Sequence, residues 1–155
     1  SSDVCSSDLG FADGRGLAAA LVMGASGVQI GTRFLVASEC PVHANVKQKL
    51  IEAIDTDTIV TGGTIGAAVR GIKNKFSEEF VAMEHAKGVS RDELLARATG
   101  TNKLAAVEGD VENGMVQAGQ SLMPLRKVEP VADIIAEIMQ KASESLAAAA
   151  TIEFS

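Results

Sequence analysis

The sequence predicts an α/β fold, and three observations carry that prediction. Residues 10–37 run as glycine turn, helix, short apolar segment between glycines, turn and helix, which is the grammar of a parallel α/β unit. Residues 41–122 hold mixed polar and apolar helices with recognisable caps, and from Val131 apolar side chains return at i, i+3, i+4 and i+7. The length of 155 residues suits about one domain, and 46% hydrophobic with 22% charged residues is a globular composition.

The first nine residues, Ser1-Ser2-Asp3-Val4-Cys5-Ser6-Ser7-Asp8-Leu9, stand apart, with a doubled Ser-Ser-Asp, no apolar periodicity and an abrupt change of composition at Gly10. They resemble a translated sequencing-library adapter. The expectation is a read-through scar on a protein that continues upstream, the alternative being a natural polar terminus.

Gly10-Phe11-Ala12-Asp13-Gly14 is a turn, and residues 17–23 have high helix propensity and stop at Gly24. Residues 27–31 read as a buried strand, and residues 32–37 as a helix with Thr32 as N-cap. Helices are expected over 43–53 and 76–86, joined by a strand and turn within 56–63. Ser90-Arg91-Asp92-Glu93 fits a capping box, since the Ser hydroxyl accepts from the N3 amide while Glu93 reaches back. Residues 108–114 form a turn cluster, and 116–122 a loop or brief helix. Pro130 suits a first helical position, followed by a stripe of Val131, Ile134, Ile135, Ile138, Met139, Ala142 and Leu146.

Charge and composition exclude several classes. Fourteen Lys and Arg against twenty Asp and Glu leave −6, the wrong sign for a phosphate-backbone binder, so no nucleic-acid partner is expected. The longest apolar run, 17–23, is far short of the roughly 20 residues of a membrane span, and a cytoplasmic location is expected. Cys5 and Cys40 form neither a disulfide framework nor a zinc spacing, and His43 and His85 are too scattered for a metal site. His43 and His85 are read as helix-surface histidines and Cys40 as a packed residue.

A phosphate needs backbone N–H groups aimed at it and room for close approach, which glycine at a helix N-terminus supplies. The turn at Gly10 and the Gly31-Thr32 pair qualify, 21 positions apart with one helix between them. Taken alone, both are weak evidence and read more readily as plain turn glycines.

The residues Gly10-Phe11-Ala12-Asp13-Gly14, then Met23-Gly24-Ala25-Ser26-Gly27-Val28-Gln29-Ile30-Gly31-Thr32-Arg33-Phe34-Leu35, resemble the end of the barrel in the nitronate monooxygenase family of flavoproteins. Glu39-Cys40-Pro41-Val42-His43 with Asn45, Val69-Arg70-Gly71-Ile72-Lys73-Asn74-Lys75-Phe76, and the stretch from Gly109 to Gln120 are similar to its FMN-dependent enoyl-acyl-carrier-protein reductase II branch.

The resemblance implies the C-terminal part of a (β/α)8 barrel, contributing the last two strand ends. Backbone amides of Gly10, Phe11, Ala12, Gly31 and Thr32 would hold the FMN phosphate, and Asp13 would fix the first turn. The implied layout is a scar at 1–9, the barrel end at 10–40, a helical insertion over the active-site mouth at 41–122, a barrel helix at 123–149 and a tail at 150–155. Arg70, Asn74 and Gln120 are candidate lid or flavin-side residues. Arg70 with Lys73 and Asn74 reads equally as a solvated helix face or internal ion pair, and Gln120 as a loop-stabilising amide. In the family the first phosphate turn carries paired glycines, whereas here Leu9 precedes Gly10. The catalytic histidine lies in segments that precede Gly10, so no residue of this chain is expected to be catalytic.

The implied activity is hydride transfer from NADH or NADPH through FMN to a small-molecule or acyl-carrier-bound enoyl thioester, by a homodimer when complete, with the isolated chain inactive. The alternatives are nitronate monooxygenase activity and, outside enzymes, a free-standing phosphate-binding or interaction module.

Overall fold

The structure is a computed structural model and describes residues 10–153. The proposed scar at 1–9 lies outside the described residues. Two compact units emerge, one comprising the described residues up to Cys40 together with those from Lys127 onward, the other Pro41–Arg126.

The first unit holds α1 (Gly14–Val22), α2 (Thr32–Leu35) and α7 (Val131–Ala149), α7 being numbered after the six helices that precede it in the chain. Small residues let α1 approach α7 closely: Gly14, Ala18 and Ala20 are its buried positions. Ile134, Ile138 and Ala142 are the buried residues of α7, while Ile135 and Met139 of the expected stripe are 49% and 59% exposed. Ala37, Ile134 and Ile138 form the centre of this core, with Leu17, Ile30, Phe34, Cys40 and Val131 packed around them.

Arg33 is buried in this unit, paired with Glu129 at 2.9 Å and Glu137 at 2.7 Å. Burying a guanidinium requires such partners. The Lys141 ammonium bonded to Glu137, with Arg33 nearby, holds the Glu137 carboxylate below its ordinary range despite partial burial.

Three expectations change here. Residues 27–31 are not a strand, because nothing among the described residues pairs with them and an unpaired apolar run has no ladder to join. Gly31 rather than Thr32 occupies the N-cap of α2, which is a single turn ending at Leu35. Pro130 sits at the N-cap of α7 rather than inside it. A proline there has no N–H or side-chain acceptor to offer. The Glu39 carboxylate serves instead, accepting from the Val131 amide at 3.0 and 3.1 Å.

The second unit holds α3 (Ala44–Glu52), β1 (Thr58–Thr61), β2 (Val69–Ile72), α4 (Lys75–Glu84), α5 (Arg91–Ala98) and α6 (Thr101–Ala106). β1 and β2 pair antiparallel, Thr58 opposite Ile72 and Thr61 opposite Val69. Residues 116–118 extend the far edge of β2: Ile72 donates to the Val116 carbonyl at 2.8 Å and Ala118 to the Arg70 carbonyl at 3.2 Å. Gly71 is required at this edge, since a Cβ there would lie 2.6 Å from the Val116 carbonyl oxygen. β2 has no counterpart among the expected elements, and the solvated helix face considered for Arg70 is a strand.

Phe76, Phe80 and Leu94 centre the core of this unit, flanked by Ile65, Met83, Val89, Ala98 and Met115. The two rings lie 5.6 Å apart, and the Arg97 guanidinium stacks 4.7 Å above Phe76. The capping box at Ser90 and Glu93 forms as expected at the start of α5. His43 is not a helix-surface residue: its Nδ1 accepts the Asn45 amide at 3.1 Å and caps α3. Among the described residues no helix is long and apolar enough to cross a membrane.

Candidate functional site

The candidate phosphate residues fall in the first unit, on two turns that each lead into a helix. Gly10 has φ +64°, a left-handed conformation that glycine adopts without strain. Phe11 is half-buried and lies against Gly16, where a Cβ would sit 2.6 Å from the Phe11 ring. Ala12 is buried.

Asp13 is the N-cap of α1, its Oδ1 accepting the Gly16 amide at 3.0 Å while Arg15 pairs with Oδ2 at 2.8 Å. Partial burial opposes the charge on Asp13, but the Gly16 amide and the Arg15 side chain outweigh it and keep the carboxyl below its ordinary range. Asp13 therefore fixes this turn and itself occupies the Gly16 amide in the first turn of α1.

At the second turn no side chain caps α2. Gly31 is exposed, has negative φ, and has open space where a Cβ would project. Its backbone conformation does not demand glycine, and what the missing side chain provides is access. Thr32, the first residue of α2, is half-buried.

Arg70, Asn74 and Gln120 belong to the second unit. Arg70 lies on β2 and its Nη1 donates to Thr58 Oγ1 at 3.0 Å. Gln120 is exposed on the loop after the Val116 edge.

Asn74 departs from its expected role. It is 6% exposed, its Oδ1 accepts the Ser77 amide at 2.9 Å, and its Nδ2 donates to the Val111 and Gly114 carbonyls at 2.6 and 2.8 Å. Both donor hydrogens and one acceptor position of the amide are taken by α4 and the 111–114 turn, so Asn74 acts as a structural cap.

Two organising residues carry no sequence signal for their roles. Thr58 orients Arg70 across the hairpin, and Glu84 clamps the β1–β2 loop by accepting the Gly62 amide at 3.0 Å and the Thr64 amide and hydroxyl at 3.2 and 2.8 Å. Partial burial works against the Glu84 charge, but these bonds outweigh it and hold the carboxyl below its ordinary range. No group of three or more His, Cys, Asp or Glu side chains among the described residues is arranged to hold a metal ion.

With this geometry established, comparison with known proteins decides the family. The family model described as nitronate monooxygenase matches residues 9–141. The chain belongs to the nitronate monooxygenase family. A "Probable nitronate monooxygenase" of Staphylococcus aureus is 34% identical over 137 residues, covering 87% of this chain and 38% of the relative. The chain thus spans about two fifths of the length of the curated relatives it matches.

Among solved structures, FabK from Thermotoga maritima is similar with a TM-score of 0.84 and 32% identity over 94% of this chain and 45% of that one. Nitroalkane oxidase from Streptomyces ansochromogenes, at 24% identity and a TM-score of 0.72, covers 92% of this chain and 40% of its own, and shows the shared fold alone. Family membership and these likenesses give the fold class as α/β, part of a (β/α)8-barrel architecture. The hairpin of β1 and β2 is the one sheet among the described residues, and it is antiparallel.

Proposed function

We propose that this chain is part of an FMN-dependent oxidoreductase, with the FMN phosphate held by backbone amides of Gly10, Phe11 and Ala12 and of Gly31 and Thr32. The observation that carries this is Gly31: it opens α2 without a side-chain cap, and its Cβ direction is clear although its backbone does not need glycine. A phosphate requires that combination of aimed amides and clearance. Asp13 shapes the first turn by accepting the Gly16 amide.

When bound, FMN supplies hydride transfer, which no amino-acid side chain can perform. This chain's residues would bind and orient it, with backbone amides donating hydrogen bonds to the phosphate. A general acid or base is sought outside these residues, since His43 is committed to capping α3 and Asp13 to capping α1.

For the reaction, we favour reduction of an enoyl thioester at the expense of NADH or NADPH. Support comes from the reductase-like residues 69–76 and from the similarity to FabK over 94% of the chain. The second reading, oxidation of a nitronate, is favoured by the family model and the staphylococcal relatives. The expected partners are a small-molecule or acyl-carrier-bound enoyl substrate and a second copy of the complete protein.

Flavin fluorescence quenching tests binding on this chain directly, and the proposal expects saturable quenching. Activity is measured on this chain and on any longer product of the same gene. NADH or NADPH consumption with crotonyl thioester supports the reductase, whereas oxygen uptake with an alkyl nitronate and no thioester reduction overturns it.

A further inference from the structure

The hairpin carries a cation that the phosphate turns do not explain. Val60 and Arg70 are direct cross-strand partners, so they share one face of the sheet, with Thr58 two residues from Val60 on the same side. Val60 is 42% exposed and Arg70 is partly buried. Arg70 Nη1 donates to the Thr58 hydroxyl at 3.0 Å, and that hydroxyl points on to the Asp55 carbonyl at 3.5 Å.

Among the described residues no carboxylate pairs with Arg70, in contrast with Arg15, Arg33 and Arg97. Arg91 and Arg126 each donate to a carbonyl oxygen rather than a carboxylate, but both are exposed. Asp57, two residues along the chain from Asp55, directs its carboxylate to the Ile54 amide at 3.0 Å.

A guanidinium partly withdrawn from water and without a carboxylate partner has donors to offer an incoming anion, in surroundings where such a pair is screened less than on an open surface. Thr58 fixes one edge of the group, which leaves the Nε and Nη2 donors as a planar fork suited to two oxygens of one phosphate. Its backbone is held on both sides, by Val60 in β1 and by the Ala118 amide donating to the Arg70 carbonyl. Such a mount keeps the fork in place before the ligand binds.

We propose that Arg70 is an anion-recognition residue, and that its ligand is the phosphate monoester of a co-substrate whose apolar portion rests on Val60. The proposal depends on the oxidoreductase reading for the identity of the ligand. A nicotinamide dinucleotide phosphate and a coenzyme A thioester share the required chemistry.

The test is an arginine side-chain NMR titration of this chain, with inorganic phosphate, NADPH, NADH, coenzyme A and dephospho-coenzyme A as separate probes. The Arg70 Nε–H signal is expected to shift saturably, and at least one of NADPH or coenzyme A to bind about tenfold tighter than its counterpart lacking the monoester. Preference for NADPH over NADH assigns the co-substrate, and preference for coenzyme A over dephospho-coenzyme A assigns the thioester carrier. Either supports the proposal.

Arg70→Gln and Arg70→Lys are expected to lose this selectivity, since a point charge lacks the fork. Thr58→Val, which removes only the orienting hydroxyl, is expected to weaken it, and Arg91→Gln to leave it intact. The proposal is overturned if no probe shifts the signal saturably, if monoester and non-monoester probes bind alike, or if Arg91→Gln matches Arg70→Gln. FMN quenching on the same samples separates the two readings. Failure of the flavin reading abolishes quenching without moving Arg70, whereas failure at Arg70 leaves quenching unchanged.

Discussion

Gly14 in α1 lies directly against the Ile138 carbonyl of α7, so closely that one added carbon would overlap that oxygen and the Ala142 amide nitrogen. Lys141 Cβ stands 2.6 Å from the same position. Backbone atoms cannot rotate away as a side chain can, so relief requires the helices to separate.

Gly14→Ala is therefore expected to cost about 1–3 kcal/mol, although alanine is the better helix former. Urea unfolding measures it. A loss within roughly 0.5 kcal/mol of zero would mean that the helices are not held at this separation.

Gly31→Ala is the matched opposite. With negative φ and open space at the Cβ position, it should leave the midpoint of unfolding nearly unchanged. FMN affinity should fall by about tenfold if the phosphate approaches this backbone, because a methyl group obstructs it. Unchanged affinity would remove Gly31 from the site.

Asn74 provides a test with graded variants. Asn74→Ala loses the α4 cap and leaves the Val111 and Gly114 carbonyls without their side-chain donor, a cost of about 2–4 kcal/mol. Asn74→Asp keeps the cap acceptor but turns a carboxylate toward two carbonyl oxygens. It should be no more stable than the alanine variant at neutral pH and recover as the solution is acidified. An Asp variant as stable as wild type would contradict this account.

Acid should loosen the β1–β2 loop through Glu84. The folded-state pKa of this carboxyl lies below its ordinary value of 4.5. Its stabilising contribution is therefore fully present above the unfolded-state pKa and is lost as pH falls through the folded one. Amide exchange at Gly62 and Thr64, corrected for intrinsic rates, should accelerate below about pH 4.5 and be fast at all pH values in Glu84→Gln. Protection that ignores both the acid and the substitution would show that the clamp is not what holds the loop.

Local signals were legible where one segment contained its own reason for folding. The Ser90 and Glu93 box is complete within four residues, and the periodicity of α7 correctly marks Ile134, Ile138 and Ala142 as buried. β2 was not legible: Val69-Arg70-Gly71-Ile72 has no apolar alternation, and its outer pairing comes from Val116–Ala118, some 45 residues later. The apolar run at 27–31 misled for the opposite reason, having strand composition without a ladder partner among the described residues.

For the candidate site, the glycine turns could be read because an anion-binding turn has a compositional signature. The capping role of Asn74 is legible too, since Asn-Lys-Phe-Ser spells an N-cap with its reciprocal N3 partner. The Arg70–Thr58 bond depends on strand register, which neither residue announces.

The bond from Val131 to Glu39 spans 92 positions, and between its two ends lies the whole of the second unit. During synthesis α1 precedes the second unit, whereas α7, the helix that covers its small-residue face, follows it. At roughly 5–20 residues per second the intervening stretch takes several seconds to translate. Within that stretch Pro41–Arg126 holds its own core around Phe76 and Phe80. α1 meets α7 only once the polypeptide has doubled back across that whole stretch.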